Sequence, residues 1–481
     1  MRAREPNERR EGLARQNVTR GGQTLLADKM TKLLDRAIVT GLLAAVVFTA
    51  LALGTVEAWS VAVFELIVVA LLVLWAAKAI VEKRLEIKVP LAALPLGALV
   101  LLGLAQSVAI TGSGGQTSSL SMDVEATRGA VAVIFFLLVC FVIAASFFDT
   151  RDRLRLLANF LITFGLVLAV FALVQHFTWE GRLFWLRPTP AAGAGTGGPF
   201  VNRNHFAGYM EMLIPIAIAL ALSRSARLES RLFWGFAAAI MGIAEAASLS
   251  RGGMVSLTLA VLFIGAITLI RKRGEPGERR KTSLILHPAT FILVMLSAIV
   301  VGVIWVGADL DILKRINNDT LTSSLPLDRQ RIWADTLTMF IAHPLLGVGL
   351  GAFETVYPMY GHGDGSLVVQ FAHNDYLQTL CDGGIAGGAI AAWFLIAMMR
   401  AAARAAKTSD PLLGALGLGS AAGVFALLVH SLFDFNLQLP SNALLFLILS
   451  AILSGAGAAL GATGKERRRH ARTEETALAA H

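Results

Sequence analysis

Five short blocks hold polar residues that stand out against an apolar chain. "VNRNHFAG" carries Asn202, Arg203, Asn204 and His205, and "SLSRGGM" carries Arg251. "RQRIWADTL" carries Arg331, "FAHNDYLQ" carries His373, Asn374 and Asp375, and "FDFNLQ" carries Asp434 and Asn436. Histidine is the side chain that exchanges a proton near neutral pH. Arginine stays charged and grips phosphate oxygens with a planar fork. Together these types suit transfer chemistry at a phosphorylated substrate, with a histidine handling a proton and arginines neutralising phosphate. Glu65, Glu211 and Glu245 add acids in the outer parts of apolar runs. Ionisable groups inside a membrane are costly and by default suggest a functional site.

The missing motifs narrow the chemistry. There is no Walker loop, no HExxH, no GxSxG and no clustered Cys/His set, so no metal or cofactor is called for. Outside the cytoplasm there is no ATP, so a substrate there must bring its own energy. A lipid-linked sugar pyrophosphate does so, because pyrophosphate is a good leaving group. Plainer readings stand beside each residue. Asn374 or Asp375 caps the helix that begins near Tyr376. His205 sits at the interface, Arg251 snorkels to headgroups, and Arg331 is a surface arginine. Gly252, Gly253, Gly383, Gly384, Gly387 and Gly388 serve helix packing. Trp179, Trp185 and Trp305 anchor at the interface, and Cys140 and Cys381 are packing residues.

The elements that must position these residues are membrane spans. The chain has 481 residues, 56% of them hydrophobic, and a mean hydropathy of +0.66. Apolar runs of spanning length predict an all-α polytopic membrane protein of about twelve transmembrane helices. Approximate limits are 37–55, 59–81, 89–110, 128–148, 154–176, 205–222, 232–248, 253–270, 286–306, 383–402, 412–432 and 440–462. The net charge of +9 does not point to nucleic acid, because the basic residues alternate from loop to loop. All but nine of the 42 Lys and Arg fall on one side, taken as the cytoplasm, with both termini there. The nine are Arg128, Arg182, Arg187, Arg203, Arg251, Lys314, Arg315, Arg329 and Arg331. The outer side carries the two longest connections, about 177–204 and 307–382. In the second, an apolar helical pattern from Ile332 to Ile341 ends at Pro344 and predicts a helix on the outer membrane surface. The expected parts are a basic cytoplasmic tail (1–36), nine spans (37–306), the outer loop (307–382), three spans (383–462) and a second cytoplasmic tail (463–481). No cleavable leader, soluble domain or internal repeat is evident.

Taken in order from about Gly198 to Phe446, five blocks resemble the O-antigen ligase and polymerase family of bacterial inner membranes. They are "GPFVNRNHFAGYMEMLIPIAI", "SLSRGG", "RQRIWADTLTMFIAHPLLGVGLGAFE", "AHNDYLQTLCDGGIAGG" and "HSLFDFNLQLPSNALLF". The first 150 residues are similar only in being apolar spans. The resemblance implies a multi-span, lipid-dependent glycosyltransferase that needs no metal and inverts the anomeric centre. Its donor would be a glycan on undecaprenyl pyrophosphate at the periplasmic face, and its acceptor a sugar hydroxyl of the lipid A core or another glycan. By motif it implies catalytic roles for Arg251, Arg331 and His373, and a role for Asp434. Arg203, Asn204, Asn374 and Asp434 are the candidate substrate-binding residues. Arg203 stands where relatives often carry an uncharged residue, so it would be an extra phosphate contact. His373 reads either as the base for the acceptor hydroxyl or as a protonated residue that orients it. A polymerase or a protein O-glycosylation ligase of the same family is the alternative. A polysaccharide transporter or flippase is the alternative from another class, disfavoured because transporters place their sites at the midplane between repeated halves.

Overall fold

A computed structural model describes residues 5–111, 117–188, 197–223, 225–273, 325–362 and 368–457. Nine helices among them are long and apolar enough to cross a membrane. The chain is an all-α, multi-pass membrane protein. The expected span 286–306, Trp305, Lys314 and Arg315 lie outside the described residues.

The first half is a succession of helices. Helix α1 (Glu5–Leu51) runs unbroken from the basic segment into the first span, Ala27–Leu51, and packs against α2 (Ala58–Glu82). The expected span 89–110 is shorter in the structure. Helix α3 (Ala93–Gln106) has 14 residues, about 21 Å at 1.5 Å per residue, against a hydrocarbon core of about 30 Å. Gln106 explains its end. This buried amide donates to the carbonyls of Leu346 (2.6 Å) and Asp382 (2.9 Å) and accepts from the Leu350 amide (3.0 Å). The chain then turns through a small hairpin, β1 (Ala109–Thr111) with β2 (Thr117–Ser119), into α4 (Val124–Phe147) and α5 (Arg151–Phe177). A two-residue pair, β3 (Arg182–Leu183) with β4 (Arg187–Pro188), follows α5.

The centre of the molecule is α6 (Arg203–Leu222), buried without interruption from His205 to Ala221. A helix apolar all round belongs inside a bundle. It packs on α7 (Leu228–Ala247) and on α12 (Pro411–His430), and α12 also packs on α8 (Arg251–Arg273). Close approach of α6 and α12 depends on small residues. A Cβ at Gly423 would lie 2.4 Å from the Met212 carbonyl oxygen.

The described residues ahead of α11 are built around α9 (Leu325–Ala342), α10 (Phe353–Val356) and a 3₁₀ turn, Tyr357–Met359. Their own small core holds Met339, Val348, Phe353, Val356, Tyr357 and Cys381. This segment docks on α11 (Asp375–Ala405), which is kinked at Gly384 (φ +62°). At the kink the amides of Ile385 and Ala386 donate to the carbonyls of Pro344 (2.8 Å) and Leu345 (3.2 Å). A Cβ at Gly384 would sit 2.4 Å from the Leu345 carbonyl, so only glycine fits this contact and this φ. A 3₁₀ turn, Asn436–Gln438, and α13 (Pro440–Gly457) complete the bundle.

Candidate active site

The site forms where α12 ends. His430 is its last residue, and the chain then turns through Ser431–Phe435 before α13. The Asp434 amide donates to the His430 carbonyl (3.1 Å), which aims the carboxyl group into the protein, where it is 1% exposed. A buried carboxylate needs partners, and four other side chains supply them. Asn204 Nδ2 donates to Asp434 Oδ2 at 2.6 Å. His373 Nδ1 lies 3.5 Å and His205 Nε2 3.8 Å from Oδ1, ion-pair distances rather than tight hydrogen bonds. Arg329 Nη2 lies 3.8 Å from Oδ2, and its Nη1 donates to the Phe433 carbonyl at 2.8 Å. Burial pushes the Asp434 carboxyl up, but the imidazoles of His205 and His373 and the nearby charge of His430 outweigh it. The group is held well below the usual carboxylate range.

The two imidazoles are held apart by one ring. Phe435 meets His205 edge-on at 4.7 Å and His373 edge-on at 4.9 Å, while Phe371 stacks on it at 4.4 Å. His373 has φ +50°. Non-glycine residues adopt that region seldom, and a histidine held there costs about 1–2 kcal/mol that the surroundings must supply. The surroundings are visible. Asn374 is the N-cap of α11, its Oδ1 accepting from the amides of Tyr376 (3.0 Å) and Leu377 (3.1 Å). Its Nδ2 donates to the Leu432 carbonyl at 3.1 Å, so both ends of the side chain hold backbone. Asp375 accepts from Ser431 Oγ (2.7 Å) and the Leu437 amide (3.1 Å), tying the start of α11 to the Asp434 loop.

The other residues singled out in the sequence fall around this cluster. Arg203 opens α6, one residue before Asn204, and Arg251 opens α8 with an exposed side chain. Arg331 is exposed on α9, and its charge is felt at Tyr357. Tyr357 donates to the buried Asp335 (2.9 Å), which also holds His362 Nδ1 (2.7 Å). Thus Arg329, and not Arg331, is the α9 arginine against Asp434. The sequence signal was available: "RQR" places two arginines two positions apart, on nearly opposite sides of a helix. Glu211 is buried against His430, and Glu245 is buried on α7. Glu65 lies on α2, which packs on α1 and α4. His205, read as interfacial, is 5% exposed and part of the cluster.

The sequence matches the O-antigen ligase family over residues 236–392. The chain carries an O-antigen ligase domain. The ligase domain contains Arg251, Arg329, Arg331, His373 and Asn374, and therefore both arginine blocks and the strained histidine. Asn204, His205 and Asp434 lie outside the matched stretch, and α6 and the α12–α13 connection bring them to it. No curated protein matches the sequence. The match supports a membrane enzyme of glycosyltransferase type, of the ligase or polymerase kind.

Proposed function

We propose that the protein transfers a glycan from undecaprenyl pyrophosphate to a sugar hydroxyl at the periplasmic face, with the Asp434 cluster as its catalytic centre. One observation carries the reading. Within reach of a buried, ionised carboxylate lie a strained, partly exposed histidine and an arginine, in a chain with an O-antigen ligase domain.

The chemistry follows from the charges. Asp434 favours the tautomer with the proton on His373 Nδ1, which leaves Nε2 free to accept one. The acceptor hydroxyl gives its proton to Nε2 as its oxygen bonds to the anomeric carbon. The bond from that carbon to the pyrophosphate oxygen breaks in the same step, inverting the centre, and its electron pair leaves on undecaprenyl pyrophosphate. Arginines at the rim stabilise that charge. Arg329 lies 3.8 Å from the Asp434 carboxylate, with Arg251 at the head of α8 and Arg331 on α9 as further phosphate contacts. Arg203 and Asn204 start α6 at the same cluster, and Asn204 acts through Asp434. Asn374 acts by fixing His373, since its amide is engaged with backbone. Membrane lipids surround the site, and the acceptor is the lipid A core or another glycan.

Deleting the gene and resolving the cell's lipopolysaccharide on a gel tests the reading. Loss of every long chain from the core is the expected result. Core plus one repeat would make the enzyme a polymerase. Unchanged lipopolysaccharide, with unchanged exopolysaccharide and glycoprotein, would overturn it.

A further inference from the structure

Beneath the catalytic cluster lies a buried polar group that the mechanism does not use. His430 is 1% exposed, and its Nδ1 is 3.1 Å from both carboxylate oxygens of Glu211, itself fully buried on α6. Two further contacts decide what this ring does. Its Cδ2 and Nε2 edge lies against Gly252, where a Cβ would be 2.8 Å from both atoms. Gly252 is the residue directly after Arg251 at the head of α8. The carbonyl of the same histidine accepts from the amides of Phe433 (2.8 Å) and Asp434 (3.1 Å). One residue therefore touches the backbone that carries Arg251 and the backbone that carries Asp434.

We propose that His430, locked by Glu211, is a positioning residue that sets the separation between Arg251 and the Asp434–His373 pair. The inference rests on the catalytic reading above. Arg251 has to meet the leaving pyrophosphate while His373 meets the acceptor, so their spacing sets whether one substrate can engage both. α8 and the Asp434 loop are not neighbours in sequence, and the flat imidazole is the spacer between them. An aliphatic side chain has no donor for Glu211 and is free to change rotamer. A ring bonded to both carboxylate oxygens has one orientation, and well-satisfied buried polar groups give this kind of rigidity. Gly252 then has a specific reason to lack a side chain. The ring occupies that space, and the ring cannot move aside without leaving Glu211.

The test exchanges volume across the contact. His430→Asn keeps a donor near the Nδ1 position for Glu211 but removes the ring edge. Gly252→Ala adds a methyl where the ring edge lies. Each alone should broaden or shift the distance between spin labels at positions 251 and 373 in the full-length protein in lipid nanodiscs. Without labels, each should raise the half-saturation for undecaprenyl pyrophosphate binding about tenfold, because misplacing a binding group by about 1 Å is enough. The double variant should recover most of both, since the methyl refills the gap. A purely structural role would lower the yield of folded protein and leave the half-saturation of the remainder unchanged. Unchanged distances in both single variants, or a double variant no better than the worse single, would overturn the inference. If the wild type binds no undecaprenyl pyrophosphate, the donor reading fails, and the spin-label distances still decide the role of His430.

Discussion

His373 stands at the junction of a backbone constraint and a charge. Its φ of +50° is a conformation that asparagine also tolerates, so His373→Asn removes the imidazole without adding strain. Turnover with a lipid-linked donor should fall about a hundredfold to ten-thousandfold, with donor binding kept. Full turnover in this variant would end the general-base reading. His343 and His362 are useful comparators with partners of their own, Tyr360 at 3.0 Å and Asp335 at 2.7 Å. Their loss should cost stability of the α9–α10 segment more than turnover. The pH dependence follows from Asp434. Its carboxyl is held below the usual range, so its contribution to stability is present above the ordinary aspartate value of about 3.9 and is lost only as pH falls through the lower folded value. If His373 Nε2 is the base, the rate should decline as pH falls, because an imidazolium can no longer accept the acceptor's proton, and His373→Asn should abolish that decline in whatever activity remains. Asp434→Asn should lower the rate at least about a hundredfold at every pH tested. The two α9 arginines should separate. Arg329→Lys loses the fork that reaches both Asp434 and the Phe433 carbonyl, so it should be the more damaging of the two. Equal rates for Arg329→Lys and Arg331→Lys would remove that distinction.

Two joints hold the α9–α10 segment against the bundle, and each can be broken singly. At Gly384 any side chain meets the Leu345 carbonyl and an unfavourable φ at once. Gly384→Ala should cost about 2 kcal/mol or more, read as a lower melting midpoint in detergent. At Gln106 one amide satisfies two carbonyls and one backbone N–H of the 346–382 region. Gln106→Leu leaves the Leu346 carbonyl and the Leu350 N–H without that partner, at about 1–3 kcal/mol each where no water replaces it, while the Asp382 carbonyl keeps the Gly349 amide at 3.1 Å. Melting curves unchanged from wild type would show that neither joint carries the docking. Helix α9 also presents Leu337 and Ile341 outward, 47% and 66% exposed, and Leu345 in the turn after it is 71% exposed. A stripe of this kind fits a helix seated on a lipid surface, as the apolar pattern from Ile332 to Ile341 suggests.

The charge pattern makes a further claim, about orientation. If the basic loops face the cytoplasm, the site and α9 face the other way. Met359, 68% exposed beside α9, and Ser225, exposed in the α6–α7 connection, lie on opposite sides by this account. In intact cells an impermeant thiol reagent should label Met359→Cys, and label Ser225→Cys only after the inner membrane is opened. The reverse pattern would invert the molecule and move the proposed site to the cytoplasm.

Hydropathy alone determined the class, and ten of the twelve expected spans correspond to helices of 18 residues or more among the described residues. The reason is that crossing a membrane is a local demand: each span must satisfy its own backbone and be apolar over its own length. The blocks around Arg251, Arg331, His373 and Asp434 were legible for a similar reason, since costly polar residues stand out in an apolar chain. Tertiary structure alone decided which of them meet. Arg329 and Arg331 are two positions apart, and the rotation of α9, set by how the loop docks at Gly384 and Gln106, turns the first toward Asp434. His205 reads as an interfacial residue until α6 is known to be buried at the bundle centre. Gly252 reads as generic helix packing until α12 brings the His430 ring against it. Sequence spacing sets the face of a helix relative to its own axis. The angle at which that face meets a neighbour is a property of the packed bundle.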